Sequence, residues 1–256
     1  EINFLMMKFK TASALFNAFF TTFGYLFLYI FFGLILDSQY LANMYEPTQH
    51  LATVALLIGF VLVFLRSASR IREQMLYAVA IGFVGEHLFS VVLGMYTYRL
   101  ENVPLYIPLG HAIVYISVIY FCKKAIVKEH SKFLEKLFTV FVFVYATAFL
   151  IFTADVFGFV MSMLVLFLLR NKPRERLFYL GMYVVVAFLE IVGTSYGCWY
   201  WPDTAFDKIP FLKSANPPSG ISLFYFLLDL GSLWLYKKRH KVTWARMKTI
   251  RKLSER

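Results

Sequence analysis

The chain reads as apolar runs of roughly 15 to 25 residues separated by short polar, often basic, stretches. Eight runs stand out, at approximately 12–36, 51–65, 75–95, 107–122, 134–152, 155–169, 177–198 and 220–236. A hydrocarbon core about 30 Å thick is crossed by helices of this length, and helices satisfy their own backbone hydrogen bonds there. The pattern predicts an all-α, polytopic membrane helix bundle of about eight transmembrane helices, forming a single transmembrane domain over 1–256 with a basic tail at 237–256.

The basic residues between the runs test that count. Lys and Arg concentrate in short cytoplasmic loops, and 23 of the 26 fall on one side if the runs alternate in direction. Arg99, Lys208 and Lys213 are left for the other side, together with the acids Asp37, Glu46, Glu101, Asp155, Asp203 and Asp207, read as loop charges. Both termini are therefore expected in the cytoplasm, and the first run is too long for a secretory signal and is expected to be retained. The tail reads as a basic interfacial helix whose sparse apolar side is Val242, Met247, Ile250 and Leu253. Cys122 and Cys198 fall at opposite ends of their runs and should not meet in a disulfide.

Sliding the sequence along itself reveals a duplication. An offset of 104 aligns Arg66 with Arg170, Arg70 with Arg174, Glu86 with Glu190 and Tyr96 with Tyr200. Six residues inserted in the second copy shift the offset to 110, which aligns Pro108 with Pro218, Gly110 with Gly220 and Tyr115 with Tyr225. The copies, about 12–122 and 134–236, are expected to be two parallel-oriented repeats related by an axis along the membrane normal.

Composition agrees with the pattern: 60% hydrophobic, 20% aromatic and 16% charged residues, with a mean hydropathy of +0.64. The net charge of +11 is accounted for by topology and anionic headgroups, and no nucleic-acid-binding module accompanies it, so no nucleic acid is expected as a partner.

The polar positions inside the runs carry the candidate chemistry. Counted from the inner ends of their runs, Glu86 lies about 16 Å deep and Glu190 about 20 Å deep at 1.5 Å per residue. His111 opens the fourth run, and Asp229 lies below the outer start of the last, so the four can meet at one depth. A carboxylate in this setting is costly unless paired, protonated or facing a water-filled cavity, which makes it a functional candidate by default. His87 points about 100° away from Glu86 and need not share its site. Around the acids the outer segments are aromatic, "MYTY" and "SYGCWYW", followed by "NPPSG". Interfacial anchoring explains part of this. An aromatic wall that stabilises cations explains the rest, with Tyr96, Tyr98, Trp199, Trp201, Tyr225 and Asn216 as the expected lining. Pro108, Pro217 and Pro218 would fix how the chain re-enters the membrane, and Gly110 and Gly220 would allow close helix approach.

Other chemistries lack their residues. Apart from Lys136 in the first turn of its run, no Lys stands within a run, so a retinal Schiff base is not expected. The five histidines form no di-iron pattern, and H-E-x-x-H, P-loop and GxGxxG signatures are missing. Glu86, His87 and His111 are a weak candidate metal set. The expectation is no metal and no cofactor.

The run "GEHLFSVVLGMYTYRLENVPLYIPLGH" resembles the membrane carotenoid-biosynthesis hydratases, among them the bisanhydrobacterioruberin hydratases, through Glu86, Gly94-Met95-Tyr96-Thr97-Tyr98, Val103-Pro104 and Ile107-Pro108-Leu109. It is also similar to the small membrane lycopene cyclases, which are built from tandem repeats. The pattern departs at His111, where Trp or an acid would be expected. The resemblance implies acid-catalysed hydration or rearrangement at an isoprenoid double bond without a redox cofactor. Glu86 or Glu190 would be the proton donor, and the other acid or His111 the base or water-positioning group. The expected partners are membrane lipids, a long apolar isoprenoid among them, and possible protein partners in a membrane complex. The expected location is the cytoplasmic membrane of a bacterium or archaeon. Two alternatives stand beside this reading. One is a non-catalytic lipid-binding scaffold or assembly subunit. The other is a small proton-coupled transporter, against which stands a cytoplasmic half with almost no buried polar residues.

Overall fold

The computed structural model describes the backbone of residues 2–45 and 48–254, and the side chains of 10–45, 48–226, 230–246 and 249. The apolar runs form helices. α1 (Ile2–Phe19) continues through a π-helical turn, Phe20–Gly24, into α2 (Tyr25–Ile35), and the short α3 (Gln39–Ala42) follows, capped by the Ser38 hydroxyl. Next come α4 (Thr48–Arg66), α5 (Ser69–Glu86) with a π-helical extension over His87–Val92, and α6 (Tyr106–Lys123). After α7 (Ala125–Glu129), the chain forms α8 (Ser131–Thr153), α9 (Val156–Leu169), α10 (Arg176–Ser195), α11 (Ser222–Arg239) and α12 (Lys241–Ser254).

Among the described residues, 6 helical segments are long and apolar enough to cross a membrane. They are Lys10–Ala42, Thr48–Arg66, Ser69–Val92, Tyr106–Lys123, Ser131–Thr153 and Arg176–Ser195. Helices also stand at the remaining two predicted positions. α9 has 14 residues, shorter than a full crossing, and in α11 the side chains of 227–229 lie outside the described residues.

Of the 6 membrane-length segments, α6 and α10 are the most enclosed. α5 packs on α6 and α11, α4 on α6, and α10 on α8, α6 and α2. Tyr183, Phe23, Phe121 and Met75 are fully buried between them. The outward faces carry Phe152 at 84%, Phe16 at 69% and Phe32 at 62% exposure. Apolar surface this continuous is stable only against lipid or another apolar partner, so the burial pattern agrees with an integral membrane protein.

The all-α expectation needs one amendment. At the bundle end opposite the basic turns, hereafter the capped end, short strands pair: β1 (Thr97–Tyr98) with β2 (Trp199–Tyr200), and β3 (Thr204–Ala205) with β4 (Ile209–Lys213). Gly94 and Gly197, at φ +62° and +68°, reverse the chain into β1 and β2, a conformation that glycine adopts without steric cost.

Two acids read from sequence as loop charges prove to be fully buried anchors of this end. Asp37 accepts from Arg99 Nη2 at 2.5 Å and Tyr106 OH at 2.7 Å, and Arg99 Nε also donates to the Asp37 carbonyl. Asp155 caps α9 through Gly158 N at 3.0 Å and accepts Ala215 N at 3.1 Å and Ser219 N at 2.7 Å. Gly158 and Gly220 lie where this loop crosses α9, and a Cβ on Gly220 would overlap the Gly158 carbonyl and the Met161 side chain. Gly110, expected to serve a similar approach, meets only Leu56 at an ordinary 3.5 Å.

The half of the bundle nearer the basic turns is less apolar inside than expected. Gln74 is buried and accepts from Tyr115 OH at 3.1 Å, and buried Ser67 shares a hydrogen bond with Tyr120 OH at 2.9 Å. Glu73 gathers Tyr77 OH at 2.5 Å, His240 Nε2 at 2.7 Å and Arg239 Nε at 3.4 Å, which ties the end of α11 to α5. Arg70 lies over the Tyr236 and Trp244 rings, so Trp244 begins the docking of α12. Val242 is 67% exposed, and the side chains of Met247, Ile250 and Leu253 lie outside the described residues. Cys122 and Cys198 are both free.

Candidate active site

Glu86 is the last residue of α5 proper. Beyond it the helix widens into the π-helical turn, Gly94 reverses the chain, and Tyr96 and Tyr98 come back over the carboxylate. Both phenols donate to Glu86 Oε2 at 2.5 Å. Burial, reinforced by the neighbouring carboxylate, raises both phenol pKa values well above the usual tyrosine value, so they remain donors. His111, in the first turns of α6, brings Nε2 to 2.6 Å from the other oxygen, Oε1.

Glu190 on α10 repeats the arrangement. After α10 ends, Gly197 reverses the chain and returns Trp199 and Trp201, whose Nε1 atoms donate to Glu190 Oε2 at 2.9 and 3.0 Å. Tyr225 of α11 donates to Oε1 at 3.2 Å. At each acid, therefore, Oε2 is held by two aromatic donors from the capped end, and Oε1 is hydrogen-bonded to a ring carried by a helix. Those two rings, His111 and Tyr225, lie 4.8 Å apart.

Both carboxylates, both tryptophans, Tyr96, Tyr98, His111 and Tyr225 line one cavity of about 330 Å³ whose remaining wall is almost entirely apolar. Exposure is 7% for Glu86, 4% for Glu190 and 8% for His111, so charge here is screened by these partners rather than by bulk solvent. The aromatic rings also hold one another: Tyr96 lies 4.5 Å from Trp201, and Tyr98 lies 6.1 Å from Trp199.

Not every predicted residue joins the group. Asn216 is exposed and stands behind the wall, where its Oδ1 accepts the backbone N–H of Trp201 at 3.0 Å. His87 turns away, with its Nδ1 on the Phe83 carbonyl and its ring against Phe83. The Glu86, His87 and His111 metal set therefore does not converge, and among the described residues no three His, Cys, Asp or Glu side chains do. The Asp229 side chain lies outside the described residues.

Sequence reading missed Gly193. A Cβ there would fall on the Trp199 indole, so the absent side chain is what lets this ring reach Glu190. Gly193→Ala is expected to displace Trp199 and unpair one donor of Glu190, at a cost of about 1–3 kcal/mol. Thermal unfolding in detergent, together with tryptophan fluorescence, reads both effects. The signal available in sequence was a glycine three residues after a buried acid and six before the tryptophan. No family model matches the chain, and no curated protein or solved structure matches it either.

Proposed function

We propose that this protein is an integral-membrane acid catalyst that hydrates or rearranges a double bond in an isoprenoid or carotenoid-like lipid, without a redox cofactor. The observation that carries the reading is the pair of buried carboxylates in one apolar, aromatic-walled cavity, each with Oε2 held by two aromatic donors and Oε1 by a single partner.

Hydrogen-bond chemistry divides the roles. Indole N–H groups only donate, so a proton on Glu190 must sit on Oε1, where the single partner is Tyr225 at a long 3.2 Å. Glu86 has a shorter, cation-capable partner in His111. Glu190 Oε1–H gives its proton to one alkene carbon, the π pair forms the new C–H bond, and the other carbon becomes a carbocation stabilised by aromatic faces. A water attacks that carbon and loses a proton to the Glu86–His111 pair; without water, loss of a neighbouring C–H proton to the same pair gives the rearranged alkene. Water takes the proton from that pair and reprotonates Glu190, so the proton added in each turnover comes from solvent and the cycle is balanced.

We also read the chain as eight crossing helices in two like-oriented repeats, about 12–122 and 134–236. Support comes from the two copies of helix, acid, left-handed glycine and paired aromatic donors. The donors follow Glu86 by 10 and 12 residues and Glu190 by 9 and 11. Tyr96 therefore corresponds to Trp199 rather than to Tyr200, and the extra residue of the first copy is absorbed by its π-helical turn. The reciprocal ring contacts and the Thr97↔Tyr200 pairing are what a two-fold axis between β1 and β2 would produce.

A second reading, a non-catalytic lipid-binding protein, is favoured by one observation: every oxygen of the two carboxylates already has a hydrogen-bond partner, as a structural lock requires. Mass spectrometry of lipids from a carotenoid-producing host separates the two. The catalyst predicts a hydrated or cyclised isoprenoid with wild type and its unmodified precursor with the Glu86→Gln, Glu190→Gln variant. Identical lipids in both would favour the lock.

A further inference from the structure

The cavity extends past the carboxylates in two directions. One arm is walled by Tyr29 and Gly33 of α2 and Ala55 of α4, all half-exposed. The other is walled by Gly85 of α5, Leu88 in the π-helical turn and Phe224 of α11, with Leu88 44% exposed. Both arms thus reach the apolar outer surface of the bundle, which in a membrane is in contact with hydrocarbon. His111 and Glu190 stand on α6 and α10, the enclosed helices that contact elements of both arms.

Two further facts give the arms meaning. A cavity of about 330 Å³ is at the small end of the range that encloses drug-sized ligands, so a long lipid chain must leave it. Each arm also contains a glycine that packing does not require. A Cβ on Gly33 meets nothing within 4 Å, and one on Gly85 meets only the Phe89 ring edge at 3.9 Å. At Gly193 and Gly220, in contrast, a Cβ would collide outright. Gly33 and Gly85 leave empty space where neighbouring side chains did not need it.

We propose that the cavity is a channel threaded by a linear apolar chain, which enters from the bilayer by one mouth and leaves by the other, with Gly33 and Gly85 holding the two arms open. The occupant is an unbranched or methyl-branched hydrocarbon longer than the cavity, and the position presented to the acids lies along the chain rather than at a closed end. The chemistry done at that position rests on the proposed function; passage through the channel does not.

The test uses full-length protein in nanodiscs and a linear hydrocarbon bearing a terminal diazirine, with labelled peptides identified by mass spectrometry. Threading predicts label in both arms, near Ala55 and near Phe224. Gly33→Phe and Gly85→Phe should each reduce label in their own arm by about tenfold or more while eluting as wild type does. Gly33→Ala and Gly85→Ala, whose Cβ fits the observed space, report on folding should either phenylalanine variant aggregate. Label confined to one arm in wild type, or unaffected by both phenylalanine variants, would overturn the channel. Loss of turnover in Glu190→Gln with labelling of both arms retained would keep the two proposals apart: a one-armed pattern removes the channel alone, and undiminished turnover removes the acid chemistry alone.

Discussion

Glu190→Gln is expected to fold as the wild type does and to lose a factor of about 10²–10⁴ in turnover, the usual contribution of a positioned general acid. The fold should survive because the substitution is isosteric and the hydrogen bonds can be rebuilt. The amide oxygen takes the place of Oε2 beneath the Trp199 and Trp201 N–H groups, and the amide nitrogen donates to Tyr225. The one property lost is a transferable proton. Glu190→Leu would differ, since two buried indole donors would be left without an acceptor at about 1–3 kcal/mol each. Turnover in proteoliposomes, measured beside the thermal midpoint, distinguishes the two variants. Undiminished turnover in the glutamine variant would remove Glu190 from the chemistry.

The second large effect is on stability. Asp155→Ala is expected to lower the unfolding free energy by at least about 3 kcal/mol, because three buried backbone N–H groups lose their acceptor at about 1–3 kcal/mol each. Those of Gly158, Ala215 and Ser219 join the start of α9 to the loop that precedes α11, so the loss should also loosen the placement of Tyr225. Asp155→Asn, which keeps one acceptor oxygen, should fall between the alanine variant and wild type. Denaturation in detergent followed by helical circular dichroism measures this order. Equal stability of all three proteins would mean that the loop is held elsewhere.

What could be read in the sequence follows from what is periodic and what is costly in lipid. Helix positions were legible because apolar length must match the membrane. Glu86 and Glu190 were legible because a carboxylate has few reasons to stand in such a run, and the aromatic segments beside them because Tyr and Trp cluster there twice. Asp37 and Asp155 were not, since a buried acid at a helix end has the same sequence appearance as a solvated loop charge. Only the return of Arg99 and of the 214–219 loop makes them interior. That Tyr96 and Trp199 each donate to a buried glutamate was hidden because they stand at different distances from their acids, ten residues in one case and nine in the other. Asn216 was misplaced for a related reason: proximity in sequence to the aromatic wall does not say which side of it a residue stands on.

If a proton passes from a buried carboxylate to a carbon atom of a lipid, the reaction run in deuterated water records that transfer in the product. With wild-type protein the hydrated or rearranged product should carry one solvent-derived deuterium bound to carbon, and the Glu190→Gln variant should form almost none of that product. A product that carries no deuterium on carbon, or one formed equally well by the variant, would contradict the account.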